Sequence, residues 1–454
     1  VQEDFFSVLA ATGKPLTQDD HFRASYLLEL FRSKIARSKA TGKDGVRITR
    51  FQDKLVEEAA LIEKRFLSRS YRFTTFKERL ILRGPDRAPR QISIPTVRDR
   101  LALRALCQVV HLFVPETRGA SPHALVKKVV EAVQSGDHGS KVFVRIDVKD
   151  FFPSVTHPIL ARELRRFDLG QNVSELCMAA VKTRTGGSGE ASSRGIPQGL
   201  SVSGALAALY MVKFDESQVD EGRTYFRYVD DILYICEKSE ADDLLKTVAR
   251  KLKARGLLIH PKGVAGKTEI SPVADGIDFL GYKICIENVS IRKSSYNRMF
   301  KKILKVITNY KHSKKDIGKL LFRLNIKITG CIVDHGRRGW MMFFSYTDDV
   351  SQLAFLDRFV GDQLKRAGFP KNRMGDVKKF VKSYHEIRFN LKETKYIPNF
   401  DEYDLDQKGK IIVDMTSHSA EEVAGWGVEA IEREFSNIIS REVQDLERDV
   451  GNIS

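Results

Sequence analysis

Residues 227–235, RYVDDILYI, set two adjacent carboxylates, Asp230 and Asp231, inside a run that otherwise favours β-structure. The flanks Phe226, Tyr228, Leu233, Tyr234 and Ile235 predict a hairpin over 225–236 with the acids at its tip. Side chains at successive strand positions point to opposite faces, so the two acids can act together only where a turn breaks the alternation. Taken alone, the pair reads equally well as a solvent-exposed turn. A third acid changes the balance. The stretch KVFVRID (141–147) reads as a strand ending on Asp147, with Phe151 and Phe152 shortly after it. A strand-end acid plus an acidic hairpin suits two-metal phosphoryl transfer, because Mg²⁺ takes carboxylates, waters and phosphate oxygens. Two such ions about 3.5–4 Å apart activate the attacking oxygen and stabilise the leaving one. Asp147 and Asp230 are the expected direct ligands, with Asp231 adding charge or completing the shell.

The rest of the chain fits an enzyme that handles a polyanion. It has 454 residues, a net charge of +17, 42% hydrophobic and 30% charged residues, the balance of a globular protein with room for two or three domains. The charge is uneven: residues from Asp401 onward hold 14 acids and 5 bases, net −9, which leaves +26 on residues 1–400. Residues 290–330 hold 12 Lys or Arg and one acid, Asp316, on a segment whose Met299, Ile303, Val306 and Ile307 are spaced as in a helix. That density favours contact with a phosphate backbone over a merely solvated face. The five cysteines, at 107, 177, 236, 285 and 331, form no metal-spaced cluster and read as buried thiols of a reducing compartment. No apolar run of about 18 residues occurs, so no membrane partner and a cytoplasmic location are expected.

Periodicity gives an α+β order. Residues 16–70 read as helical, 71–96 as a basic hairpin around Gly84-Pro85-Asp86, 96–110 as helix, 158–167 and 201–214 as helices. HGRRGWMMFFSY (335–346) offers two arginines and several aromatics, either to stack on RNA bases or to form a core helix.

These blocks resemble, in order, the motifs of prokaryotic reverse transcriptases, the branch of group II intron, retron and defence-associated enzymes. IDVKDFF (146–152) is similar to motif A and YVDD (228–231) to motif C. TGKDGVRITRF (41–51) with SRSYRF (68–73) resembles the N-terminal block, and RQISIPTVRDRLALRAL (90–106) the fingers block. GIPQGLSVSGALAALYM (195–211) is similar to motif B, Lys267 in GKTEI suits motif D, and FLGY (279–282) suits motif E.

The resemblance implies a right-hand polymerase fold: N-terminal helices and fingers over 1–140, a palm over 141–286, a basic helical thumb over 287–395, and an acidic extension over 396–454 of unassigned role. It implies Mg²⁺, two ions with Mn²⁺ as a possible substitute, at Asp147, the neighbouring Val148, Asp230 and Asp231. Lys267 would protonate the leaving pyrophosphate. Arg83 and Arg90 would hold the triphosphate of an incoming dNTP, with Phe152 closing the sugar's 2′ side, Phe151 beside it at the substrate, and Gln198 and Gly199 at the nascent base pair. Phe279, Leu280, Gly281 and Tyr282 would grip the primer. Arg292, Lys293, Arg298, Lys301, Lys302 and Lys305 would hold the nucleic-acid backbone.

Motif B departs from the intron and retron pattern: LSVSGALA follows PQG with no proline, as in the defence-associated and abortive-infection groups. The expected function is therefore an RNA-directed DNA polymerase making cDNA on a structured noncoding RNA in antiphage defence. The alternatives are a template-independent or protein-primed DNA polymerase, and an RNA-binding scaffold on a dead polymerase fold.

Overall fold

The computed structural model describes residues 17–36, 40–82, 88–136, 139–187, 193–221, 223–263, 267–312 and 316–450. The chain divides into one unit of residues 1–120 and 140–270 and a second of 121–139 and 271–454. Residues 121–139, read above with the fingers, thus group with the second unit.

The first unit begins with helices. α1 (Leu55–Leu67) turns Leu55, Ala59, Ile62 and Phe66 inward at the spacing that predicted it. β1 (Lys77–Ile81) and β2 (Arg90–Ile94) form the expected antiparallel hairpin. Its tip, with Arg83, lies outside the described residues. Thr96 caps α2 (Val97–Phe113) by accepting from the Asp99 N–H, which fixes where the strand stops and the helix starts.

β3 (Lys141–Lys149) is the spine of the main sheet. Val142, Phe143, Val144, Ile146 and Val148 are all buried, so both faces of the strand are covered. α3 (His157–Arg166) and α4 (Gln171–Lys182) follow, then α5 (Ser203–Asp220), whose small residues Ala205 and Ala207 are buried beside Leu206 and Leu209. β4 (Thr224–Tyr228) and β5 (Asp231–Glu237) make the hairpin that RYVDDILYI predicts, with Tyr228 opposite Asp231 and only Val229 and Asp230 in the loop. β5 pairs antiparallel with β3. After α6 (Ala241–Ala254), β6 (Leu258–Ile259) and β7 (Glu269–Pro272) also pair with β3.

The second unit carries β8 (Ile277–Phe279), β9 (Tyr282–Ile284) and β10 (Val289–Ile291) as an antiparallel sheet in the order β10-β9-β8. The β8–β9 loop is Leu280-Gly281, both at positive φ (46° and 86°), the twist a two-residue hairpin requires. α7 (Lys293–His312) and α8 (Ile317–Thr329) follow, with a small hairpin of β11 (Cys331–Val333) and β12 (Gly336–Arg338). α9 (Val350–Arg366), α10 (Phe380–Phe389), α11 (Leu405–Met415) and α12 (Val428–Val450) complete it. The aromatics of 335–346 belong to this core: Trp340, Phe343 and Phe344 are buried, which removes them from base stacking. None of the described helices is long and apolar enough to cross a membrane.

Candidate active site

Strand register gathers the acids. Asp147, at the end of β3, lies directly opposite Asp231 on β5, and the Val148 N–H donates to the Asp230 carbonyl at 3.3 Å. The hairpin tip is therefore tied to the strand that carries Asp147. Val229 forms that tip at φ 57°, a strained setting for a β-branched residue. Arg227 holds the turn from behind, donating to the Val229 carbonyl at 3.0 Å while its guanidinium pairs with Asp215 of α5. The strain persists because the surrounding bonds fix it, and its effect is to turn Asp230 out of the alternation that separates adjacent side chains.

The three acids have different partners. Lys267 Nζ donates to both Asp147 carboxylate oxygens, at 2.8 and 3.0 Å. The His260 ring lies 3.3 Å from one of them, and the His260 backbone N–H donates to the Asp147 carbonyl. Asp231 is buried and accepts two bonds from Arg145, at 3.0 and 2.9 Å. Burial works against the Arg145 charge, yet the Asp231 carboxylate, with Glu269 and Asp147 beyond it, raises its pKa. Asp230 lacks such a cation. Burial, then the charges of Asp147 and Asp231, push its carboxyl up to about 6 against a weaker opposing pull from Lys267.

That distribution bears on the metal. Among the described residues no three His, Cys, Asp or Glu side chains are arranged as a ready cation cage. Lys267 holds Asp147 and Arg145 holds Asp231. The donor set still fits Mg²⁺, since Asp147 and Asp230 offer hard oxygens and the Asp230 charge is stabilised only in part, by its own backbone N–H and by Lys267. Asp231 is the poorest candidate of the three because it is buried and paired with an equally buried arginine through two separate nitrogens, whereas Asp147 and its partner Lys267 are more accessible.

Sequence reasoning passed over Arg145 and His260. Arg145 had a signal, the one charged residue between Lys141 and Asp147 in an otherwise apolar strand, two positions from Asp147 and so on the same face. His260 had none, because only the pairing of β6 with β3 brings it there. Arg145→Met should cost about 3–5 kcal/mol by removing the cation that both oxygens of the buried Asp231 contact. Arg145→Met/Asp231→Leu should recover most of that in urea unfolding. If the double variant is no more stable than the single, the ion pair is not what the arginine contributes.

Around the acids, the Arg90 side chain donates to the Gln198 side-chain oxygen, and Ser93 N–H donates to the Gln198 carbonyl at 2.7 Å. Gly199, at φ 104°, has no room for a side chain: a Cβ there would sit 2.7 Å from Ile92 and 2.8 Å from the Ser93 carbonyl. The close approach that demands this glycine is thus to β2. Phe151 is core, whereas Phe152 is half-buried against that core and meets Phe151 edge-on with centroids 5.6 Å apart.

In the second unit Phe279, Leu280 and Tyr282 are buried, and the Tyr282 hydroxyl donates to the Phe343 carbonyl, so motif E there builds core. Of the six cations expected to hold the nucleic-acid backbone, Lys293, Lys301 and Lys305 on α7 are exposed, while Arg298 and Lys302 on α7 and Arg292 just before it are half-buried.

Residues 82–284 match the sequence family described as reverse transcriptase (RNA-dependent DNA polymerase). No curated protein matches the chain. Solved structures similar to it include telomerase from Candida albicans in complex with a TWJ fragment of telomeric RNA, at 14% identity and a TM-score of 0.44, covering 79% of this chain and 65% of that one. Apo telomerase from Candida tropicalis, truncated from its C-terminal domain, is similar at 13% identity and a TM-score of 0.36, covering 48% of this chain and 55% of that one. The chain therefore spans a little under two thirds of the length of the first of these telomerases. The residues that match this family, 82–284, carry β2, the β3 acid and the acidic hairpin.

Proposed function

We propose that the chain extends a DNA strand on an RNA template from deoxynucleotides, with Mg²⁺ held by Asp147, Asp230 and the Val148 backbone. The observation that carries this is the joining of the strained Val229-Asp230 tip to the end of β3, inside the residues that match the reverse transcriptase family. Bound Mg²⁺ would supply activation of the primer 3′-hydroxyl and neutralise charge on the leaving phosphate. The chain's own groups do the rest. Lys267 is the proton donor for pyrophosphate, and its contact with both Asp147 oxygens holds Nζ beside the acids. Arg90, fixed through Gln198, is the triphosphate contact. Asp231 works through charge and position. The template we infer is a dedicated structured noncoding RNA, with a role in bacterial antiphage defence, supported by the +26 body and the proline-free motif B.

Purified protein given labelled dNTPs, a DNA primer, an RNA template and Mg²⁺ should make product complementary to the template. Product covalently joined to the protein and indifferent to template removal would overturn RNA templating in favour of protein-primed synthesis. Phe152 sets the sugar preference, because a half-buried ring at the 2′ side crowds a ribose hydroxyl. Phe152→Val should raise ribonucleotide use about 10- to 100-fold relative to deoxynucleotide use, the value of relieving a clash of about 1–3 kcal/mol. Unchanged discrimination in single-nucleotide kcat/KM would remove Phe152 from that role.

A further inference from the structure

We propose that the cleft enclosed by α3, α4 and the turn at 68–72 is a binding site for single-stranded nucleic acid, separate from the polymerase acids. The cleft measures about 820 Å³, room for two or three nucleotides at roughly 300 Å³ each, within the usual range of ligand sites. Leu164, Leu169 and Met178 make an apolar floor, and Arg69, Arg72, Arg165 and Lys182 stand around it.

The state of those four cations is what points to a polyanion. Elsewhere in the same unit Arg23, Arg98, Arg145, Arg166, Arg227 and Arg255 each pair with a carboxylate. Arg69 and Arg72 are instead held by neutral acceptors. Arg69 Nε donates to the Asn172 side-chain oxygen at 2.7 Å, and Arg72 Nη1 donates to the carbonyls of Tyr71 at 2.9 Å and Arg69 at 3.2 Å. Their guanidiniums are oriented without being neutralised. Two acids, Asp168 and Glu175, also line the cleft, and Glu175 is engaged by the Gln171 amide at 2.8 Å. The lining is therefore +4 against −2. Arg69 itself sits at φ 55°, an uncommon setting for a long side chain, which fixes its direction of exit.

Spaced, oriented, uncompensated cations over an apolar floor match a chain of phosphodiesters whose bases lie against Met178 and the leucines. A duplex presents its bases stacked inward and would leave that floor unused. An acidic peptide would satisfy the charges but supply no planar group.

The test needs no catalysis, so it stands or falls apart from the polymerase reading. Binding of a fluorescein-labelled 20-nucleotide oligouridine is followed by anisotropy from 50 to 300 mM KCl. Arg69→Glu/Arg165→Glu should weaken binding about tenfold and flatten the dependence of log K on log salt by about 0.7 for each phosphate no longer neutralised. Arg50→Glu/Lys54→Glu, the same charge change on an exposed surface of the same unit, should do neither. In parallel, 4-thiouridine substituted into the oligonucleotide should crosslink to the peptide containing Met178, and Arg69→Glu/Arg165→Glu should abolish that crosslink. Equal losses in the two double variants would mean a general field effect and overturn the site, as would crosslinks confined to other peptides. Arg72→Ala/Lys182→Ala supplies an independent pair should the charge reversal disturb folding, with a loss of at least threefold and the same crosslink as the criteria.

Discussion

Asp230→Asn is expected to end DNA synthesis while making the metal-free protein more stable. The activity loss should be about 10³-fold or more, the scale seen when an essential member of a reacting group is removed. The stability gain follows from the carboxyl pushed up to about 6 by burial and by Asp147 and Asp231. The unfolded chain titrates this group near 3.8, so between about pH 4 and pH 6 the folded state binds the extra proton. Stability therefore falls as pH rises through that window, and above about pH 6 the full cost, on the order of 3 kcal/mol, is present. Asparagine carries no charge and escapes it, so the variant should melt higher at pH 7 in EDTA and should lose its advantage below pH 4. Millimolar Mg²⁺ should raise the melting temperature of the unmodified protein, because a cation bound only by the folded state stabilises it, and should do so far less for the variant. A variant that melts lower than the parent in EDTA would show that Asp230 is not held against its charge. If the protein's biological effect survived the substitution, the scaffold reading would replace the enzymatic one.

The positions of the three acids were readable from sequence, and their electrostatic wiring was not. β3 and the β4–β5 hairpin are local patterns of apolar and β-branched residues, so the positions of Asp147, Asp230 and Asp231 follow from short stretches. Which acid meets which cation depends on pairings between segments far apart. Lys267 reaches Asp147 from 120 residues away, and Arg145 meets Asp231 from 86 residues away. No window of sequence contains both partners. The same limit explains Gly199: its need for a bare backbone comes from β2, about a hundred residues earlier. For 335–346 the sequence left base stacking and a core helix both open, and a short helix at Trp340–Phe343 turns the rings inward while Arg338 pairs with Glu447 at 2.7 Å, so the core helix holds.

Removing residues after 427 is expected to unfold the second unit, not merely to trim an acidic tail. Charge suggests a solvated arm, but the spacing of Ile431, Phe435, Ile438, Ile439 and Leu446 is that of a helix with a buried stripe. All five are buried in α12, in one cluster with Ile326 of α8, Phe400, and Ile411, Ile412 and Met415 of α11. At about 1.5–3 kcal/mol for each buried side chain, the helix contributes on the order of 10 kcal/mol, comparable to the whole stability of a domain. Its acids face the basic segment. Glu442 accepts from Arg323 at 2.8 and 3.0 Å, and Asp445 accepts from Lys327 at 2.6 Å, where Lys327, then Lys302 and Lys305, hold the Asp445 carboxyl below its usual range. The surface pairs among these add little each, so the apolar stripe decides the outcome. Phe435→Ala alone should cost about 3–5 kcal/mol. Glu442→Gln and Asp445→Asn together should cost less than Phe435→Ala. The sharpest measurement is limited proteolysis of chain 1–427: cleavage should concentrate between residues 290 and 427, with the 140–270 segment still protected. If the truncated chain instead kept its full melting temperature and resisted cleavage there, α12 would be an appendage, and the acids would have to be explained by something other than completing this core.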